Sequence, residues 1–144
     1  ITITDPEMTR YLMSKSDAIG LVFEAVEKSI GGEIFVMRMP ATSVEIMANS
    51  MIELFGDAHT RTKIIGSRPG EKVDEVLVSK NEAPFTKVVN EKYFVILPQK
   101  LSDELTARYR ESEFIDTEEF NSRNADQLTA SDLTLQLRNQ TWLM

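Results

Sequence analysis

Thr60-Arg61-Thr62-Lys63-Ile64-Ile65, followed by Gly66-Ser67-Arg68-Pro69-Gly70-Glu71-Lys72, is a β-rich run closed by a stiff turn. Pro69 fixes one backbone angle and Gly70 tolerates angles that other residues avoid, so the turn holds Arg68 and Glu71 in a defined relation. A planar guanidinium presented in this way suits a diphosphate or a carboxylate, which it engages through parallel hydrogen bonds. The run is expected to lead into a short helix carrying Val73, Val76 and Leu77. The first turn of such a helix would direct free N–H groups toward the space that Arg68 reaches. A surface turn in which Arg68 and Glu71 simply pair, worth about 0–1 kcal/mol, fits the same residues. Taken alone, the turn leaves both readings open.

Upstream of this stretch, strands and helices alternate. Ile1-Thr2-Ile3-Thr4 has the period of a short strand and stops at Asp5-Pro6. Ser14 and Asp17 have the spacing of a capping box. Ile19, Val22, Phe23, Val26 and Ile30 follow on one helical face, and Gly31-Gly32 ends the helix. Glu33 to Arg38 reads as a buried strand closed by Pro40. Thr42 and Glu45 form a second capping box ahead of a helix lined by Val44, Met47, Ala48, Met51 and Phe55, which Gly56 terminates. Residues 1–78 therefore read β-α-β-α-β-α, the alternation of an α/β layer. After Pro84 the character changes. Thr86–Val89 and Tyr93–Leu97 look like a hairpin, residues 101–117 are polar with weak helical patterning around Leu101, Leu105 and Tyr109, and a last helix is expected over Ser131–Arg138. The domain reading is an α/β domain over residues 1–80 and an extension, hairpin plus tail, over 81–144 packing on it.

Composition narrows the chemistry. The chain has 144 residues, 42% hydrophobic and 27% charged, as in an ordinary globular domain. A net charge of −7 without a basic block argues against a nucleic-acid surface. No apolar run approaches the roughly 18 residues of a membrane span, and the polar start is no signal peptide. A cytoplasmic setting is the expectation. With no cysteine, disulfides and thiolate chemistry are excluded, and the lone histidine, His59, reads as a solvated loop residue. The carboxylates are scattered and suggest no metal site. The seven methionines read as core filler.

Two further arginines are candidates. Arg10 lies near the end of the opening extended segment, and Arg38 ends the strand containing Val36 and Met37. Strand ends in α/β layers line crevices, although both arginines also suit structural ion pairs. Tyr11 and Lys15 have the Tyr-x-x-x-Lys spacing of a catalytic pair, but Ser14 places a helix start between them, so the match reads as coincidence. Asn121-Ser122-Arg123-Asn124 is either hydrogen-bonding loop chemistry or an ordinary turn.

Several blocks occur in one order: Thr4-Asp5-Pro6-Glu7-Met8-Thr9-Arg10-Tyr11, Gly31-Gly32-Glu33-Ile34-Phe35-Val36, Pro40-Ala41-Thr42, and Ile64 to Lys72 with its arginine turn. Together they resemble the C-terminal half of extended short-chain dehydrogenase/reductase nucleotide-sugar enzymes. The group most similar is that of UDP-N-acetylglucosamine 4,6-dehydratases and epimerase-like enzymes of polysaccharide biosynthesis. Phe120-Asn121-Ser122-Arg123-Asn124 with Leu128 resembles the segment that closes capsule-type members. The resemblance implies a UDP-sugar substrate, with Arg68 at the diphosphate and Glu71 near the ribose. It implies Val36, Met37 and Arg38 near the uracil and phosphates, and Arg10 toward the sugar. It also implies that NAD(P) and a Tyr-x-x-x-Lys pair belong to an upstream half missing from these residues. No G-x-G-x-x-G occurs here, and the chain begins at Ile1. The expectation is a substrate-binding portion with no catalytic residue or cofactor of its own, inactive alone and prone to form a homo-oligomer through an exposed sheet edge. A non-catalytic interaction module that kept the fold, or an unrelated anion-binding α/β domain, are the rival readings.

Overall fold

The computed structural model describes residues 1–138. In chain order the elements are β1 (Thr2–Ile3), β2 (Thr9–Tyr11), α1 (Lys15–Lys28), β3 (Ile34–Met37), β4 (Ala41–Ser43), α2 (Val44–Phe55), β5 (Lys63–Ile64) and β6 (Val76–Val78). A 3-10 turn (Ala83–Phe85), β7 (Thr86–Val88), β8 (Tyr93–Ile96), α3 (Asp103–Arg108), β9 (Phe120–Asn121) and α4 (Ala130–Arg138) follow. The result is a mixed α/β chain, as the alternation predicts.

Two compact units are interleaved along the sequence. One comprises Ile1–Leu12, Pro40–Glu75 and residues 122–138; the other comprises Met13–Met39 and Val76–Asn121. Each draws segments from both sides of residue 80.

In the first unit β1 and β5 pair in parallel, Thr2 beside Lys63 and Ile3 beside Ile64. β2 and β4 run antiparallel, Thr9 beside Ser43 and Tyr11 beside Ala41. α2 packs on α4. Met8, Ala41, Ala48 and Leu133 are buried here. The tail is fastened by backbone bonds from Ala41 N–H to the Asp126 carbonyl and from Leu128 N–H to the Ala41 carbonyl, both short.

In the second unit β3, β8 and β7 form an antiparallel sheet in that order. Its core joins Val95, Leu97, Leu105 and Tyr109, with Phe35 and Val89 against them. Phe94 meets Phe120 edge-on, ring centres 5.0 Å apart. Among the described residues no helix is long and apolar enough to cross a membrane.

The Ser14 capping box forms as expected: Ser14 Oγ accepts from Asp17 N–H, and the Asp17 carboxylate accepts from Ser14 N–H. The hairpin and the final helix also form where expected. Four local expectations are corrected. The cap of α2 is Ser43, whose Oγ accepts from Ile46 N–H at 3.1 Å, because Thr42 is buried in β4 with its hydroxyl on the Leu128 carbonyl. No helix follows the arginine turn. The β-branched Val76 and Val78 are instead drawn into β6 by pairing with β9, some 40 residues later. The strand Ile34–Met37 buries only Val36, since β3 is a sheet edge. Finally, α1 buries no residue at all, and Ile19, Val22, Phe23 and Val26 are 57–76% exposed.

Candidate functional site

The arginine turn is built from its own backbone. Arg68 and Glu71 flank Pro69 and Gly70, and Gly70 takes φ +88°, the left-handed angle that a Pro-Gly bend requires at its second central position. A Cβ on Gly70 would meet nothing within 4 Å, so the backbone angle, not space, selects glycine there. Glu71 N–H donates to the Arg68 carbonyl at 3.1 Å, and Arg68 N–H donates to Glu71 Oε2 at 3.0 Å. The carboxylate thus closes the turn onto its own backbone and leaves the guanidinium alone. Among the described residues the Arg68 guanidinium has neither a hydrogen-bond nor an ion-pair partner, and both residues are exposed. With no helix behind Glu71, no helix dipole assists the site.

Either side of the turn is anchored. On the incoming side, Lys63 N–H donates to the Ile1 carbonyl and Ile65 N–H to the Ile3 carbonyl, both at 2.9 Å. On the outgoing side Arg10 is the anchor. Its Nη1 donates to the Val73 carbonyl at 3.1 Å, its Nη2 to the Lys72 carbonyl at 3.0 Å, and its Nε lies 3.6 Å from Glu75. Thr9 N–H also donates to the Val73 carbonyl. Sequence reasoning brought Arg10 forward for the sugar; its guanidinium faces the backbone that carries the turn.

A polar cluster behind residues 72–75 was not assembled from the sequence. Thr9 Oγ1 donates to Asp74 Oδ1 at 2.7 Å and lies 2.6 Å from Ser122 Oγ. Ser122, fully buried, accepts from Glu75 N–H at 2.9 Å. Arg123 Nε donates to both Asp74 oxygens, at 2.9 and 3.1 Å, and its Nη2 to the Glu7 carbonyl at 2.8 Å. The Arg123 guanidinium, with help from the Thr9 hydroxyl and against partial burial, holds the Asp74 carboxyl below its ordinary range. One signal was available: Asn121-Ser122-Arg123 is a dense run of hydrogen-bonding side chains. Its partners lie too far along the chain to be paired by spacing.

Val36, Met37 and Arg38 belong to the second unit. Val36 is buried, Met37 half-buried and Arg38 exposed, its guanidinium 5.1 Å from the Phe94 ring centre and its N–H on the Lys92 carbonyl. The same unit holds an open cavity of about 540 Å³ lined by Lys80, Ala83, Pro84 and residues 114–118, none of them a sequence candidate. Tyr11 ends β2 and Lys15 opens α1, so the pair shares no helical face.

The residues present do not fit a dinucleotide. Gly20 is inside α1, Gly31 and Gly32 follow it, Gly56 caps the end of α2, and Gly66 and Gly70 flank Arg68. None lies between a strand and the helix start that would receive a pyrophosphate, where Ser14 and Ser43 stand instead.

Comparison with known proteins gives this arrangement its relatives. Residues 1–98 match the family model described as polysaccharide biosynthesis protein. A UDP-glucose 4-epimerase of Rickettsia felis is 35% identical over 142 residues, 96% of this chain and 41% of its own length. A second, from Rickettsia akari, is 45% identical over 82 residues, 57% of this chain and 24% of its own. The X-ray structure of Pen from Bacillus thuringiensis superposes with a TM-score of 0.79 at 27% identity, covering 97% of this chain and 40% of that one. The chain spans about two fifths, or less, of the length of these proteins. It has the fold of a portion of an extended short-chain dehydrogenase/reductase, and it belongs to the polysaccharide biosynthesis protein family.

Proposed function

We propose that this chain is the UDP-sugar-binding portion of a nucleotide-sugar 4,6-dehydratase or epimerase, and that it is inactive without the portion of the family fold that holds NAD(P) and a Tyr-x-x-x-Lys pair. The observation that carries the reading is the Arg68 guanidinium: unengaged among the described residues, at the tip of a turn anchored on both flanks. Arg68 would take two diphosphate oxygens, and Glu71 would hold the turn closed while accepting from a ribose hydroxyl. Such a contact is remote from the reacting carbons, so it contributes binding and placement instead of proton transfer. The wall facing Arg68 is assigned to the rest of the enzyme, consistent with this chain covering 40% of the Pen chain.

The test is Arg68→Ala in the full-length enzyme. Loss of a charge-assisted pair of about 1.5–3 kcal/mol corresponds to a KM for the sugar nucleotide raised roughly ten- to a hundredfold, with NAD(P) affinity unchanged. An unchanged KM overturns the assignment.

A second reading, a non-catalytic interaction or oligomerisation module, is favoured by one feature: the uncovered apolar face of α1, with Val22, Phe23 and Val26 more than 60% exposed. Retention of Arg68-dependent UDP binding separates the two.

A further inference from the structure

We propose that Ser122 and Arg123, from the tail, are positioning residues for the Arg68–Glu71 turn, acting through Asp74 and Glu75. The proposal rests on the nucleotide-binding reading above and extends it to residues that never meet the ligand.

Bond directions follow from elementary chemistry. An ionised Asp74 only accepts, so Thr9 donates its hydroxyl proton to Asp74, and Ser122 donates to Thr9. A Ser122 lone pair is then left for the Glu75 N–H at 2.9 Å. Ser122 N–H donates to the Glu75 carbonyl at 2.8 Å, so Ser122 holds both backbone groups of Glu75. Arg123 secures Asp74 and, through the Glu7 carbonyl, fastens it to the segment leading into β2. Arg10 takes the carbonyls of Lys72 and Val73. Each residue from 72 to 75 is therefore tied to β2, to the tail or to both.

Residues 66–71 contrast with this base. The bonds described for them close the turn on itself, Arg68 with Glu71. The direction in which the turn projects is set where it is anchored: at Ile65 on one side and at 72–75 on the other. Removing a tail contact leaves Arg10 and Thr9 on Lys72 and Val73 but loosens residues 74–75 behind them, and so widens the set of positions that Arg68 samples. A ligand must then pay for re-ordering it, which weakens binding without touching chemistry.

The experiment combines two readouts in the full-length enzyme: amide hydrogen exchange over residues 66–75, and kinetics of Ser122→Ala and Arg123→Lys, each alone and on an Arg68→Ala background. Ser122→Ala removes a buried hydroxyl. Arg123→Lys is the milder variant, on a side chain about half exposed, and keeps the charge while losing the two-pronged reach. The expected result is faster exchange at Arg68 and Glu71, KM for the sugar nucleotide raised about five- to twentyfold and kcat within about twofold. On the Arg68→Ala background the same substitutions should add little, because the group they position is gone. Fully additive KM effects, or unchanged exchange at Arg68 and Glu71, overturn the positioning role while leaving the Arg68 assignment intact. An Arg68→Ala enzyme with normal KM overturns the nucleotide reading and this proposal with it. Should Ser122→Ala fail to fold, Arg123→Lys carries the same outcomes.

Discussion

Asp74 illustrates how one carboxylate can organise a turn that it does not belong to. Its oxygens accept from Arg123 and Thr9, and these bonds depress its protonation below the ordinary range. The sign is that of a stabilised anion: the contribution is fully present above the unfolded value near pH 3.9 and is lost as pH falls through the lower folded value. Asp74→Asn is therefore expected to destabilise the protein at neutral pH. The gap to wild type should narrow below about pH 4, as followed by urea unfolding at a series of pH values. A gap constant down to pH 2 would remove Asp74 from its place in the network. None of this was legible from residue spacing, because Thr9, Asp74 and Ser122 are scattered over 113 positions. The Arg68 turn was legible because Pro69, Gly70 and Glu71 are its immediate neighbours and fix its geometry locally.

Among the elements, α1 depends most on its ends. It buries none of its residues, so packing contributes little, and an isolated helix of 14 residues is marginal in water. The Ser14–Asp17 box then becomes a large share of what holds it. Ser14→Ala should cost about 1 kcal/mol, visible as roughly fivefold faster amide exchange within Lys15–Lys28 and no change in α2. The elements read correctly from sequence, α1 with its cap and the β7–β8 hairpin, are those whose determinants are contiguous. The helix expected at 71–78 failed for the opposite reason. Val76 and Val78 have a strand partner in Phe120 and Asn121, and the remote pairing overrides a weak local helical pattern. Thr42 lost its expected capping role to Ser43 for a related cause, its hydroxyl being committed to the Leu128 carbonyl.

For the whole molecule, the apolar stripe of α1 is the feature most out of keeping with a finished surface. Ile19, Val22, Phe23 and Val26 line up at helical spacing and are exposed. In the chain alone this face should drive concentration-dependent self-association. A Val22→Lys, Phe23→Glu double substitution is expected to abolish it in sedimentation velocity while leaving the circular dichroism spectrum unchanged. Association that persists in the variant would place the contact elsewhere, for example at the β5 side where Ile64 and Ile65 are also exposed. Amphipathicity alone could not have distinguished a face turned inward from one left open, since both have the same period.

The threading of the chain bears on how it is made. Thr9 waits for Ser122, and Ala41 for Asp126 and Leu128, so the first unit lacks its closing contacts until residues 122–128 have been synthesised. Early segments must stay unfinished during synthesis, and such long-range closure is slow. A stop codon placed just before Asn121 would thus forfeit more than the segment it removes: it would strand Thr9, whose partner Ser122 lies 113 positions further on.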